Sequence, residues 1–396
     1  MELTPKTIDF SNSEISFKNK SNKELREAYL LFKIMNNPFF VKMGKHLVDL
    51  SFSIHLPIQG IIRNTIYKYF VGGSSIEDCL KTVEKLKARK VGTILDFAAE
   101  GEEEEEFFDS TLEEVIRTIE FAHTNTNIPF SVFKITGLGR FALYEKISQG
   151  EKLTEDEVQE FQRVENRVKS IFEKGHELGI PILVDAEETW IQPMLDDLVL
   201  KYMAIYNKEK AIVQNTYQMY RHDSIERLKA HHIIAKEQGF RFGLKIVRGA
   251  YMEKERNRAF EQSYPSPIQP DKYSTDRDFD AIIQYLIENL DTIDFMVATH
   301  NEESSELLAR LIAQNNLPKN HPSIYFAQLY GMSDHITNNL AEQGYNVVKY
   351  VPYGEVKTMM PYLFRRAEEN SSVKGQTSRE LKLIEKELQR RKETKA

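Results

Sequence analysis

The sequence has 396 residues, of which 41% are hydrophobic, and a formal net charge of −7. This length and apolar content suit one barrel-sized core with an additional helical segment. Its 53 Lys and Arg residues are outnumbered by 60 Asp and Glu residues, which argues against nucleic acid as a partner because phosphate binding needs a basic face. Cys79 is the only cysteine, so no intrachain disulfide is predicted and a reducing, cytoplasmic compartment is expected.

Residues 1–90 are predicted to form a helical N-terminal arm. Leu, Lys, Glu and Phe recur there at helical spacings, and alternating Val-rich runs do not occur. The pair Gly72-Gly73 predicts a turn, and the serines at 74–75 predict a helix N-cap before residues 76–89. The arm is therefore expected to consist of several short helices separated by turns.

No targeting or membrane-spanning segment is predicted near the N-terminus. Residues 1–14 lack the basic and apolar regions of a signal peptide. The apolar stretch 29–50 is interrupted by Lys33, Lys42 and Lys45, and a spanning helix needs a continuous apolar run. The protein is expected to be cytoplasmic, or attached to one face of a membrane.

After residue 90, short apolar or β-branched runs alternate with long charged helical segments. Eight runs are predicted strands: 91–97, 130–136, 181–185, 211–216, 242–247, 295–299, 323–328 and 346–351. Strands that alternate with helices are typical of parallel βαβ units, and eight units in residues 91–376 suit a closed (β/α)8 TIM-type barrel. The alternative is an open doubly wound sheet, although its usual G-x-G-x-x-G turn does not occur here.

Residues 377–396 are predicted to form a charged C-terminal helical tail. Leu381, Ile384 and Leu388 fall on one helical stripe. This stripe favours docking on the protein itself, and the alternative is a basic surface helix that touches anionic lipid.

Enzymes with this fold carry their working residues at the carboxyl ends of the strands. The predicted strand ends are repeatedly polar, which predicts a site at the mouth of the barrel. The candidates at these ends are Lys134, Asp185, Gln214, Lys245, Arg248, Thr299, His300, Gln328 and Tyr350. No metal site is predicted, because His231, His232 and His300 do not form a recognised ligand set.

The helix predicted after the last strand carries Tyr362, Arg365, Arg366 and Glu369 on one face, at spacings of three, four and seven residues. Paired guanidinium groups beside a tyrosine suit the bidentate binding of a small carboxylic acid. The pattern fits an exposed helix with Arg–Glu pairs equally well.

Seven motifs, taken together and in this order, resemble the proline dehydrogenase family over residues 91–376. They are FKITGLGR (133–140), LVDAEETW (183–190), VQNTYQMY (213–220), KIVRGAY (245–251), THN (299–301), FAQLYGM (326–332) and YLFRRAEEN (362–370). The phrase YPSPIQP (264–270) and the order of Lys and Arg in KIVRGAY are similar to the monofunctional, mitochondrial-type branch. In the bacterial bifunctional branch the two basic residues are swapped.

This resemblance implies an FAD-dependent enzyme that oxidises L-proline to 1-pyrroline-5-carboxylate by hydride transfer from proline C5 to flavin N5. It implies a quinone as electron acceptor, peripheral contact with the inner face of the cell membrane, and a pyrroline-5-carboxylate dehydrogenase as a partner. The implied catalytic residues are Asp185, Lys245 and Lys134. The implied substrate-binding residues are Lys134, Tyr251, Leu329, Tyr350, Tyr362, Arg365 and Arg366. The implied FAD-binding residues are Gln214, Lys245, Val247, Arg248, Gly249, Ala250, Thr299, His300 and Glu369.

Three other functions remain open at this point. Hydroxyproline dehydrogenase is the nearest, although a bulky Tyr350 beside the ring favours proline. A lyase that forms a Schiff base through Lys134 is the second, and a scaffold that binds a partner through residues 1–90 is the third. Flavin colour that proline bleaches would indicate the dehydrogenase. Trapping with borohydride and a carbonyl compound would indicate the lyase, and neither result would indicate the scaffold.

Overall fold

The computed structural model describes residues 8–53, 56, 58–97, 103–372 and 376–394. Eight parallel strands form one sheet in the order β1-β8-β7-β6-β5-β4-β3-β2. They are β1 (Gly92–Phe97), β2 (Ser131–Phe133), β3 (Ile182–Val184), β4 (Val213–Gln218), β5 (Phe242–Val247), β6 (Ile293–Ala298), β7 (Ile324–Leu329) and β8 (Val347–Tyr353). The two ends of this order meet where the Thr93 amide of β1 donates to the Asn127 carbonyl before β2, at 2.8 Å. The predicted (β/α)8 barrel is confirmed.

Helices precede the barrel and follow its strands. In the arm they are α1 (Ser13–Phe17), α2 (Asn22–Met35), α3 (Pro38–Ser53), α4 (Gln59–Ile62), α5 (Lys68–Phe70) and α6 (Ile76–Lys87). Beyond it they are α7 (Glu105–Thr124), α8 (Phe141–Ser148), α9 (Glu155–Leu178), α10 (Gln192–Tyr206), α11 (Ser224–Gln238), α12 (Met252–Glu261), α13 (Lys272–Glu288), α14 (Glu302–Gln314), α15 (Asp334–Glu342), α16 (Met360–Ser372) and α17 (Gln376–Glu393). None of the described helices is long and apolar enough to cross a bilayer.

Local sequence signals account for several helix ends. Ser75 caps α6 by accepting a hydrogen bond from the Asp78 amide at 3.3 Å, as the serines after Gly72-Gly73 predicted. Gly179 ends α9 in a left-handed conformation, with φ of +69°, which glycine adopts without steric cost.

The amino-terminal end of the barrel interior is filled by apolar side chains. Phe130, just before β2, packs edge to face on Tyr325 of β7, with ring centroids 4.8 Å apart. Leu183 and Met296 are fully buried in the same cluster. Because one end of the barrel is packed solid, the polar groups of the strands gather at the other end.

The arm and the tail share a second core beside the barrel. Phe32 of α2 and Phe70 of α5 are buried with Leu363 of α16 and Ile384 of α17. Met332, which follows β7, belongs to the same cluster. The arm therefore packs against the segments that leave the carboxyl ends of the last two strands.

Each predicted strand overlaps one observed strand, and β4 differs most in position. The prediction covered residues 211–216, whereas β4 runs from Val213 to Gln218. Because of this shift of two residues, Gln214 lies in the amino-terminal part of the strand, away from the end at which the site is predicted.

Candidate active site

A buried lysine joins three sides of the barrel near its carboxyl end. Lys245 of β5 is 4% exposed. Its ammonium group donates to Oδ1 of Asp185, which follows β3, at 2.5 Å, and to the hydroxyl of Tyr350 in β8 at 2.7 Å. Burial raises the pKa of the Tyr350 phenol well above its usual range, and the charge of Asp185 adds to this. Tyr350 therefore keeps its proton at neutral pH, and Lys245 has a fixed position inside the barrel.

Arg248, the second basic residue of KIVRGAY, occupies a different environment from Lys245. Its guanidinium donates to Asp276 at 2.7 Å, to the Thr299 hydroxyl at 2.6 Å and to the Ser304 hydroxyl at 3.0 Å. It also lies 4.3 Å from the centre of the Phe279 ring. Arg248 is thus held against α13 and α14, and Lys245 is the basic residue of this motif that lies inside the barrel.

A carboxyl group with a raised pKa lies beside Lys134, the residue that follows β2. Glu187 is 3% exposed, and it accepts hydrogen bonds from the Thr136 amide at 3.1 Å and from the Thr136 hydroxyl at 2.5 Å. Burial raises the pKa of Glu187 to about 7, although the Lys134 charge and the Thr136 bonds act in the opposite direction. This carboxyl group therefore changes its protonation near neutral pH.

The end of β6 presents a threonine and a histidine. The buried Thr299 accepts the hydrogen bond from Arg248, and Nδ1 of His300 lies 2.9 Å from the Ser333 hydroxyl. Burial lowers the pKa of His300 well below its usual range, and the charges of Lys349 and Arg366 lower it further. His300 is therefore neutral at pH 7 and lies in an electropositive environment.

The paired arginines of α16 do not point into open solvent. Arg366 is 8% exposed, and its guanidinium lies 5.3 Å from the centre of the Tyr362 ring. Arg365 and Tyr362 are half-buried, and the charge of Arg366 acts on His300. The exposed position that the alternative required is therefore wrong for Arg366, and the carboxylate clamp stays a prediction. The Glu369 side chain lies outside the described residues.

The placement of Gln214 at the mouth is wrong. Because β4 begins at Val213, Gln214 lies near its amino-terminal end, where its amide donates to the Ala211 carbonyl at 3.0 Å. Gln218 occupies the carboxyl end instead, donating to the Glu187 carbonyl at 2.7 Å and accepting from the Ala250 amide at 3.4 Å. VQNTYQMY contains both glutamines, so only the strand boundary distinguishes them.

The remaining predicted residues lie at the ends of β5 and β7 or in the segment that follows β5. Val247 and Tyr251 are half-buried, and Gly249 and Ala250 are exposed at the mouth. A Cβ atom at Gly249 would lie 2.6 Å from the Tyr220 ring, so this glycine allows close packing of a tyrosine, and the predicted approach of a ligand to its backbone stays a prediction. Leu329 ends β7 and is half-buried.

Sequence reasoning missed Lys349, which lies one residue before Tyr350. It is 1% exposed and donates to the carbonyls of Leu329, at 3.1 Å, and Met332. A lysine inside an otherwise apolar strand, as in NVVKYV, was the available signal. A buried lysine needs such partners, since an unpaired buried charge is very costly.

The donor chemistry of this end of the barrel fits FAD. Lys245 and Arg248 are hydrogen-bond donors near the end of β5, the Thr299 hydroxyl lies beside Arg248, and the positive charges of Lys349 and Arg366 act on His300. Phosphate groups and the negative charge of a reduced flavin both favour such an environment.

Fold and site together define a (β/α)8-barrel enzyme with several basic side chains at its strand ends. The sequence profile of the family described as proline dehydrogenase matches residues 79–379. The chain therefore belongs to the proline dehydrogenase family of oxidoreductases, as the motifs predicted.

Two relatives and one solved structure show how far this similarity extends. The chain is 33% identical to the mitochondrial proline dehydrogenase 1 of Dictyostelium discoideum, over 97% of this chain and 75% of the relative. It is 36% identical to the carbapenem antibiotics biosynthesis protein CarD of Pectobacterium carotovorum subsp. carotovorum, over 84% of this chain and 86% of the relative. Proline utilization A (PutA) from Bdellovibrio bacteriovorus has the same fold, with a TM-score of 0.72 and 21% identity over 91% of this chain and 38% of that longer one.

Proposed function

We propose that the chain is an FAD-dependent enzyme that oxidises L-proline to 1-pyrroline-5-carboxylate in proline catabolism. Family membership supports this reaction, and the buried Lys245 between Asp185 and Tyr350 is the observation that carries it. Bound FAD supplies the N5 atom that accepts a hydride from C5 of proline. Lys245 provides a positive charge of fixed position in that environment, and Asp185 orients it.

The proposed FAD site lies at the ends of β5 and β6. The residues proposed to hold FAD are Lys245, Val247, Arg248, Gly249, Ala250, Thr299 and His300. Support comes from Arg248 and Thr299, which are already connected by a 2.6 Å hydrogen bond. Because this bond already restricts both side chains, FAD binding would cost less side-chain entropy.

The proposed proline site lies between Tyr350 and α16. Arg365 and Arg366 bind the carboxylate, and Lys134 adds a third cation. Tyr350, Tyr362, Leu329 and Tyr251 surround the pyrrolidine ring. Each hydrogen bond to a charged group contributes about 1.5–3 kcal/mol, so the arginines would orient C5 as well as supply affinity.

A spectroscopic titration of the purified holoenzyme tests this function. Visible flavin absorbance that L-proline bleaches under anaerobic conditions is the expected result. Bleaching by hydroxyproline in preference to proline would reassign the substrate. Colourless protein that borohydride traps with a carbonyl compound at Lys134 would indicate a Schiff-base lyase and overturn the proposal.

We further propose that the electrons pass to a quinone at the inner, cytoplasmic face of the cell membrane. The arm supports this, because α3 exposes Phe39, Met43 and Leu47 at successive four-residue intervals, with 67% of Phe39 and 55% of Leu47 accessible. Lys42 and His46 lie in the same groove. An exposed apolar stripe with adjacent basic side chains suits the surface of an anionic bilayer.

Co-sedimentation of the full chain with anionic vesicles tests this contact. The substitution Phe39→Glu should abolish vesicle binding and leave proline oxidation with a soluble dye unchanged. Phe260→Glu is the matched control, because Phe260 of α12 is 86% exposed and lies outside the arm. Equal binding by both variants would contradict the proposed surface. The imine product also makes a pyrroline-5-carboxylate dehydrogenase a proposed partner, because such an enzyme consumes it.

A further inference from the structure

The N-terminal arm reaches the carboxyl end of the barrel through Lys20, which lies between α1 and α2. Its ammonium nitrogen is 2.7 Å from Oδ2 of Asp334, and it donates to the Tyr69 hydroxyl at 3.2 Å. The side chains of Lys20 and Asp334 are only 14% and 10% exposed. This ion pair is largely shielded from water, so its charges interact more strongly than those of a surface pair.

Asp334 connects the arm to the backbone that leaves β7. Its other carboxylate oxygen lies 3.3 Å from the ammonium nitrogen of Lys349. Lys349 in turn donates to the carbonyls of Leu329 and Met332. Two cations, one from the arm and one from β8, therefore hold the segment 329–334 through a single carboxylate.

The arm also determines the path of this segment by direct packing. Gly331 has φ of +78°, and a Cβ atom there would lie 2.3 Å from the carbonyl oxygen of Tyr69. Ser333 has φ of +51°, which is uncommon for a residue other than glycine and needs support from its surroundings. The Ser333 amide donates to Glu380 of the tail at 3.1 Å. Arm and tail thus hold the segment from two sides.

Two side chains connect this segment to the site described above. Leu329 lies at its start, and the Ser333 hydroxyl lies 2.9 Å from Nδ1 of His300. We propose that Lys20 is a positioning residue, which acts through Asp334 to place Leu329 and His300. The contacts are observed, whereas the consequence for substrate and flavin rests on the function proposed above.

The test compares Lys20→Met with Lys68→Met. Lys68 of the same arm pairs with Glu27 at 2.8 Å, but its side chain is 48% exposed, so it controls for the loss of an arm lysine. We expect Lys20→Met to weaken FAD binding to the apoprotein and to raise the proline KM, each by about tenfold, with a smaller change in kcat. Flavin fluorescence measures the FAD dissociation constant independently of turnover. Lys20→Arg should restore both values.

Lys20→Gln is the second variant, for the case that Lys20→Met does not fold, because its amide keeps a polar group beside Asp334 but removes the positive charge on which the proposed role depends. Unchanged FAD affinity and KM in either folded variant would overturn the role of Lys20. Wild-type protein that neither binds FAD nor oxidises proline would overturn the proposed function instead, so the two failures are distinguishable. Equal losses in Lys68→Met would also overturn the inference, because they would show a general effect of arm charge.

Discussion

The buried carboxyl group of Glu187 should make the stability of this protein depend on pH in a defined direction. Its pKa is about 7 in the folded protein, against 4.5 for an ordinary glutamate, and burial is the main cause. Between these values the folded state binds a proton that the unfolded state has lost. The stabilisation is therefore fully present below pH 4.5 and is lost as the pH rises through about 7.

The size of this effect follows from the two pKa values. One pH unit corresponds to about 1.4 kcal/mol, so the interval from 4.5 to about 7 corresponds to about 3 kcal/mol. The substitution Glu187→Gln removes the titrating group and keeps an amide of similar shape. From pH 4.5 to 7.5, the unfolding free energy of the wild type should fall by about 3 kcal/mol more than that of Glu187→Gln.

Urea unfolding at the two pH values, with the same excess of FAD in every sample, measures this difference. Burial also raises the pKa of Glu255 and Glu380, but both groups are present in both proteins, so their contributions cancel. Glu237→Gln is the control, because Glu237 is exposed on α11, and its effect should stay within about 0.5 kcal/mol. If the wild type and Glu187→Gln lose the same free energy over this interval, the reasoning is refuted.

Three further substitutions test the site and its support. Arg366→Met should raise the proline KM by about 10- to 100-fold in steady-state kinetics, through the loss of charge-assisted bonds, and an unchanged KM would exclude the clamp. Lys245→Met leaves Asp185 without this cation and should lower the unfolding free energy, measured by urea unfolding, by about 3 kcal/mol. A variant as stable as the wild type would show that the pair contributes nothing. Gly331→Ala should cost about 2 kcal/mol more than Gly344→Ala, because both have positive φ but a Cβ meets another backbone only at Gly331.

The fold and the family followed from the sequence because both depend on local patterns. Eight apolar runs separated by amphipathic helices require parallel strands, and their number suits a closed barrel. The motifs in chain order then identified the family. These conclusions needed only the types of residue and their spacing, which tertiary contacts do not alter.

The choice of the residues that face the site depended on strand boundaries and on side-chain direction. Gln214 and Gln218 are four residues apart in one strand, and the start of β4 at Val213 decides that Gln218 lies at the mouth. Lys245 of β5 and Arg248, one residue past the end of β5, are three residues apart, so they point to opposite sides of the chain, one inside the barrel and one toward α13 and α14. Periodicity alone does not identify which face is which.

By itself, the sequence determined the barrel, its helical arm and the family to which the chain belongs. Only the tertiary structure decided that Lys20 of the arm meets Lys349 of β8 at Asp334. Lys20 lies more than 300 positions before both Asp334 and Lys349, and no local pattern relates it to them. Long-range ion pairs of this kind arise from the packing of whole elements, because burial brings the charges together and also requires that they be compensated.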